Sequence, residues 1–542
     1  MQGRCQQPTP VRDADSRCVP CHAAIVAKYL RTPMANASGV AAEQMHPGVY
    51  THVRSNTRYE IALRNQTPFL TANPISSSPV ASSQIASGQA SWEAKLQYFL
   101  GSGHLGTTYL YWRKNYLFES PVAWFARSGS SGSDSFDMKP GFGDVDFFVP
   151  GVPMQSECLR CHMSAVQPTD SGSLNRYTKL PFLHTGITCE ACHGNADFHV
   201  RSKGKSPIVN PAKLDPWLRD SVCLSCHLEG DVTVKRAGRS ALNYRPGEPI
   251  SDYLAFFVKK DANATARGVS EVEQLAQSRC KRISGDGMSC TSCHDPHDTP
   301  DAGRRVAFFR AKCLSCHSQP EFKNHHVENQ DCTSCHMPRS GAANIQHVAW
   351  TDHRILRLPD ASTPAAHGAD AGELTPIFSP GATARDLAMA NYKYLLEGDA
   401  SLAPITWRQL SALRAQAGVD KDLLNAFGNM AAVRGDSMEA EAAFHEVLQN
   451  NPDDLIALSN LGVLLAKHGR LEESEAMLQK AFDRNEDDAG LAMNLIRVEC
   501  INGQTESARA TLNTALAFNP HLPKLTNLAN QIPNCNLAPG KE

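Results

Sequence analysis

Cys290-Thr-Ser-Cys293-His294, Cys313-Leu-Ser-Cys316-His317 and Cys332-Thr-Ser-Cys335-His336 stand within 47 residues of one another. Two thiols two residues apart, followed at once by an imidazole, form the arrangement that attaches a c-type haem. Each thiol adds to one porphyrin vinyl group as a thioether, and the histidine lies beneath the iron as proximal ligand. Four more such units stand upstream: Cys18-Val-Pro-Cys21-His22, Cys158-Leu-Arg-Cys161-His162, Cys189-Glu-Ala-Cys192-His193 and Cys223-Leu-Ser-Cys226-His227. With 18 Cys and 21 His in 542 residues, random placement would give roughly 0.02 matches, so seven are not accidental. Zinc is the competing reading, because its sites also use cysteine pairs two apart. Zinc sites join two such pairs, however, or a pair with a histidine pair, and do not require His directly after every second Cys. Seven covalently held haems are therefore expected to take the place of much of the ordinary hydrophobic core.

The remaining totals narrow the class. Lys and Arg number 53 against 55 Asp and Glu, so nothing in the charge favours nucleic acid or an anionic membrane surface. No stretch approaches the roughly 18 to 20 apolar residues of a membrane span. The first residues, Met1-Gln-Gly-Arg-Cys5, lack the apolar core of a signal peptide. Because c-type haem is attached outside the cytoplasm, a mature periplasmic or otherwise exported protein is expected. Cys5, Cys280, Cys500 and Cys535 are left over. Cys500 and Cys535 are read as one disulfide or two free thiols, and Cys280 as an inert buried thiol in preference to a ligand.

Along the chain, residues 23–30 form a short helical pattern ended by Pro33. His46 and His52 follow, with His52 the expected distal ligand of the first haem. Residues 74–91 are Ser-rich and read as a loop. Residues 96–126, aromatic and β-branched with glycine punctuation, read as two or three strands, with His104 in the turn between them. From Cys158 to His353 the segments between haem units are short, polar and broken by Pro and Gly. They cannot bury enough apolar side chain to offset the entropy lost on folding, so porphyrin must supply the apolar surface and folding is coupled to its attachment. Ten histidines are candidates for the distal positions. The set chosen is His52, His104, His184, His199, His297, His347 and His353, with His325 or His326 as replacement. His297 lies only three residues beyond His294, too near to cross to the far face of the same haem, and so must serve a neighbour.

After a linker over 354–384, rich in Pro, Ala and Gly, a 34-residue repeat begins. Gly435, Gly469 and Gly503 share one position, Ala440, Ser474 and Ala508 another, and Phe427-Gly428 matches Leu461-Gly462. That is the tetratricopeptide spacing, with small residues where paired helices touch. The fold expected is mainly α with much irregular structure. A haem-cored domain over 1–353 carries a small β-containing haem-free insertion at about 60–150, and an α-solenoid covers 385–542. Residues 385–418 are expected to supply a degenerate repeat or cap, and a terminal helix near 522–532 to close the stack.

GITCEACHG, MSCTSCHDPH and DCTSCHMPRS resemble the multihaem cytochromes grouped with the tetrahaem cytochrome of the ammonia-oxidation pathway and the pentahaem nitrite reductases. The order of these motifs, with GSGH, YRPGEPISDYL and the helical tail, is similar to exported cytochromes fused to tetratricopeptide repeats, over nearly the whole chain. The resemblance implies mostly bis-His c-type haems in close pairs. It departs at one point: the nitrite reductases typically carry Lys in place of the proximal His at the catalytic haem, and all seven units here carry His. Electron carriage is therefore favoured over a catalytic haem, with the repeats docking a redox partner or another copy. The alternatives are a reductase of a small nitrogen or sulfur oxyanion at one five-coordinate haem, with Arg201, Arg279 or Arg282 near the anion, and a subunit of a cytochrome assembly or filament.

Overall fold

The computed structural model describes residues 14–75, 92–126, 135–259, 268–319, 329–341, 349–357, 373–378, 381–416 and 418–532. Helix α1 (Val19–Tyr29) begins inside the first haem unit. A ten-stranded antiparallel sheet follows. Its strands are β1 (Ser38–Val40), β2 (Gly48–His52), β3 (Thr57–Arg64), β4 (Thr67–Pro74), β5 (Trp92–Leu100), β6 (Gly106–Arg113), β7 (Tyr116–Glu119), β8 (Val122–Phe125), β9 (Ser135–Met138) and β10 (Val152–Pro153). The path runs β10-β7-β6-β5-β4-β3-β2, with β1 on β5 and β8 bridging β6 to β9. The sheet forms because β3 and β5 alternate buried and exposed side chains along most of their length, the period of a half-buried strand. Tyr59, Ile61, Leu70, Leu96, Tyr109 and Tyr111 fill its core. The expected small insertion is thus corrected to a full sheet that begins before residue 60 and takes in His52. The Ser-rich stretch lies almost wholly outside the described residues.

The haem-unit region holds short helices: α2 (Ser156–Leu159), α3 (Cys189–His193), α4 (Asp197–Arg201), α5 (Pro216–His227), α6 (Glu271–Gln277), α7 (Arg279–Ser284), α8 (Cys290–Cys293), α9 (Ala302–Leu314) and α10 (Cys332–His336). Two hairpins lie among them, β11 (Met163–Val166) with β12 (Phe182–Thr185), and β15 (Arg339–Gly341) with β16 (Ala349–Thr351). Strands β13 (Val232–Lys235) and β14 (Leu254–Lys259) pair as well. Among the described residues of 268–357, not one apolar side chain is buried. The described residues of this segment thus contribute no buried apolar side chain to a core.

The expected linker over 354–384 is corrected at one point. Residues 374–376 form β17 (Leu374–Pro376), which pairs with β14 through Leu374 and Lys259, Thr375 and Val258, and Pro376 and Phe257. Leu374 is buried with Val232, Val234 and Phe257 against the first helices of the solenoid.

The solenoid consists of helix pairs α11 (Ala384–Leu396) and α12 (Ala403–Arg414), α13 (Lys421–Arg434) and α14 (Ser437–Asn450), α15 (Leu455–Lys467) and α16 (Leu471–Phe482), and α17 (Ala489–Ile501) and α18 (Thr505–Phe518), closed by α19 (Pro523–Gln531). Each repeat restarts on an aspartate N-cap: Asp420, Asp454 and Asp488 accept from Leu423, Ala457 and Leu491 backbone N–H. Each later turns at a left-handed glycine, Gly435, Gly469 and Gly503, with φ of 88°, 74° and 73°. At Gly462 a Cβ would stand 2.6 Å from Leu478 Cγ. Gly462→Leu is expected to cost about 1–3 kcal/mol by overpacking, read as lost amide-exchange protection across 455–482.

Glu499 is buried, with Oε1 accepting from Thr511 Oγ1 at 3.1 Å and Oε2 without a partner among the described residues. Burial, and then the nearby Glu475, pushes its carboxyl up to about 7. A carboxyl raised in the folded state holds its proton where the unfolded chain has released it, so stability falls as pH rises from the ordinary carboxylate range to about 7. Glu499→Gln is expected to remove that slope, measured as amide exchange in α17 and α18 between pH 5 and 8.

The solenoid is seated on the rest of the protein at both ends. Near its start, Arg236 pairs with Asp386, and Lys393 Nζ donates to Thr233 O at 2.7 Å. Near its end, Asn485 Nδ2 donates to Gly172 O at 2.8 Å and Arg176 Nη1 to Asp483 O at 2.8 Å. Phe518 packs edge-on against Tyr116 of the sheet at 5.1 Å. Cys500 is buried in α17, and Cys535 lies outside the described residues.

Candidate haem sites

Two imidazoles binding one iron from opposite faces, each nitrogen about 2.0 Å from the metal and about 1.1 Å from its own ring centre, stand with centroids about 6.2 Å apart. Among the described residues, three pairs meet that measure. His22 and His199 are 6.4 Å apart at 13°, His193 and His297 5.9 Å at 13°, and His294 and His353 6.3 Å at 29°. In each, a CxxCH histidine faces one from outside any unit. The outer ring follows the unit two further along: His199 comes after the third, His297 after the fifth, His353 after the seventh.

Backbone carbonyls orient the rings. His193 Nδ1 bonds Val209 O at 2.8 Å, His199 Nδ1 bonds Ser206 O at 2.8 Å, His336 Nδ1 bonds Leu356 O at 2.7 Å and His353 Nδ1 bonds Thr351 O at 2.9 Å. With Nδ1–H donating to a carbonyl, the imidazole lone pair sits on Nε2, the tautomer that can bind a metal. Burial also holds the imidazoles of His162, His294 and His297 below their ordinary range, which keeps them neutral. The residues present fit covalent haem.

His52 does not fit. Its Nδ1 bonds Ser55 Oγ at 2.8 Å and its Nε2 bonds Gly143 O at 3.1 Å. Both nitrogens are spent inside the sheet region, and His22 faces His199 instead. His104 is exposed in the turn from β5 to β6. His184 lies on β12 opposite Ser164. His46 stacks on Trp124 at 3.6 Å. His347, His325 and His326 fall outside the described residues. Cys280 is half-buried on α7. The carbonyls of Val209, Ser206, Leu356 and Thr351 carry no sequence signal, since any residue supplies one.

Contacts between units give their neighbours, the thiols standing in for the thioether sulfurs of attached haem. Cys18 and Cys189 gather with Asp15, their ligand atoms all within 4.8 Å, and Asp15 Oδ1 accepts from Cys189 N at 2.9 Å. Cys161 meets Cys226, and Cys226 Sγ lies 3.9 Å from Arg160 O. Cys223 meets Cys290, and Cys313 meets Cys332. Cys192 lies in the field of Cys226, and Cys293 in that of Cys316. The resulting order is first, third, fourth, fifth, sixth and seventh, with the second unit against the fourth.

The comparisons agree with these parts. Residues 284–322 match the doubled CXXCH motif, residues 149–194 match cytochrome c554 and c-prime, and residues 425–489 and 466–523 match the tetratricopeptide repeat. No curated protein matches the chain. Among solved structures, the MamA RS-1 ArsTM double mutant is similar at 18% identity, covering 28% of this chain and 84% of that one, with a TM-score of 0.25. The structure titled as the functional characterisation of Pseudomonas aeruginosa pilF is similar at 17% identity, covering 28% and 69%, with a TM-score of 0.24. The chain thus carries c-type haem-attachment motifs and repeats of a protein-interaction class, and no helix among its described residues is long and apolar enough to cross a membrane.

Proposed function

We propose that the protein is an exported, periplasmic or extracellular, heptahaem c-type cytochrome that passes electrons along its haem series, with the repeats docking a redox partner or a second copy. Each haem, once bound, supplies an iron that takes up and releases one electron. Fourteen cysteines hold the porphyrins and the seven adjacent histidines bind the irons from one side. His199, His297 and His353 bind the first, third and fifth from the other. His104, His184 and His347 are the candidates for three of the remaining irons. The observation that carries this reading is the three facing imidazole pairs, each drawn from distant segments and set at a bis-His spacing. Ligation from both faces would leave no open position for substrate at these three irons, which supports carriage there.

The test is the mass and oxidised spectrum of the exported protein. Seven covalent tetrapyrroles with the first, third and fifth haems low-spin are expected. Zinc, or a polypeptide without porphyrin, would refute the proposal.

A further inference from the structure

The outer rings of the three facing pairs are not held alike. His199 and His353 each set Nδ1 on a backbone carbonyl, Ser206 O at 2.8 Å and Thr351 O at 2.9 Å. The His297 ring has no such carbonyl among the described residues. Asp295 Oδ1 lies 3.7 Å from its Nδ1, beyond hydrogen-bond reach, and accepts instead from the His297 backbone N–H at 2.9 Å. The ring is half-buried in the loop after α8. The terminal torsion of a histidine is a broad well, so a ring untied at Nδ1 is free to turn. His297 nevertheless lies within 13° of the His193 plane.

Tyr29 meets that ring. The two centroids are 6.4 Å apart at 70°, an edge-to-face contact. Tyr29 is the last residue of α1 and only 6% exposed. Its hydroxyl donates to Ile187 O at 2.5 Å. Ile187 is itself anchored, its N–H donating to Met34 O at 3.0 Å, and it stands two residues before Cys189. The phenol is thus rooted on the helix that begins in the first unit and tied at its tip to the chain entering the third. His297, from beyond the fifth, rests against the ring between them. A side chain fixed at both ends is the support that a ligand ring needs to keep its direction.

We propose that Tyr29 is a positioning residue for the third haem, holding the plane of His297 parallel to that of His193. The inference rests on the reading that these two rings bind one iron. Parallel and crossed imidazole planes give different low-spin signals, the crossed arrangement showing the larger anisotropy, so the effect of Tyr29 on the plane has a direct readout.

The test is electron paramagnetic resonance of the frozen oxidised holoprotein and its Tyr29→Leu and Tyr29→Phe variants, after porphyrins are counted by mass. His297→Ala and His199→Ala mark the third and first haems by the low-spin signal each removes. In Tyr29→Leu the third haem's signal is expected to move to larger anisotropy, with part of that haem high-spin and returned to low-spin by added imidazole. The first haem, whose unit opens the same helix, is expected to keep its signal. Tyr29→Phe keeps the ring and loses the tie to Ile187, so a smaller shift in the same direction is expected with every haem still low-spin. It decides the matter should Tyr29→Leu carry fewer than seven porphyrins. An unchanged third-haem signal in the variants that carry seven porphyrins would overturn the proposal and leave electron carriage standing. Equal disturbance of the first haem would overturn it as well, by showing that Tyr29 supports α1 as a whole. A full set of low-spin haems in His297→Ala would instead overturn the ligand pair on which the proposal rests.

Discussion

Replacing the six cysteines of the last three units, Cys290, Cys293, Cys313, Cys316, Cys332 and Cys335, with alanine is expected to unfold residues 268–357 while the sheet and the solenoid stay folded. Ordering a residue costs on the order of 1.5 kcal/mol, and this segment buries no apolar side chain among its described residues to offset it. The sheet keeps its core of Tyr59, Leu70, Leu96 and Tyr109, and the solenoid its core of Leu424, Phe444, Leu461 and Leu495. Neither draws a buried residue from 268–357. Limited proteolysis of the exported variant should cut first at Arg304, Arg305, Arg310 and Lys312 along the largely exposed α9. Bands covering the sheet and the repeats should survive. Protection of α9 equal to that of the parent protein would show that side chains alone hold the segment and would defeat the haem-cored account.

The second large effect concerns the facing imidazoles. His199→Ala is expected to convert one haem in seven from low-spin to high-spin in the oxidised protein, because the ring 6.4 Å from His22 is the one set to close that iron's second face. His297→Ala and His353→Ala should do the same at the third and fifth units. Added imidazole should restore the low-spin signal in each. His52→Ala is the contrast: it removes the bonds to Ser55 and Gly143 and should leave every spin state alone. A high-spin haem in His52→Ala and none in His199→Ala would reverse the assignment. The measurement is electron paramagnetic resonance of the frozen oxidised protein, with spins counted per porphyrin.

What could be read beforehand divides along the range of the forces involved. The CxxCH units are contiguous, and the repeats recur in register through Gly435, Gly469 and Gly503, so adjacent residues carried both signals. The full extent of the sheet is less legible, because the aromatic run after residue 96 is a strong strand signal while the alternation of β3 is carried by mixed polar and apolar residues. Strand β17 was hidden in a stretch rich in Pro and small residues, since pairing with β14 is a tertiary event that three residues cannot announce. His52 lies near the first unit in sequence, yet nearness along the chain does not decide which ring faces His22. His199, the ring that faces His22, lies in α4 beyond two further units. Charged contacts such as Arg17 with Asp197 at 2.7 Å join those distant segments, and a single chain read in order contains no record of them.

The late position of β17 has a consequence for how the molecule is made. Lys259 on the outer edge of β14 waits for Leu374, and units five to seven all lie on the chain between them. Emerging amino end first on export, the chain would present those cysteines while that edge is still open. Attachment enzymes would therefore meet a slack loop, and docking of the solenoid would act as the latch that shuts once the cargo is aboard.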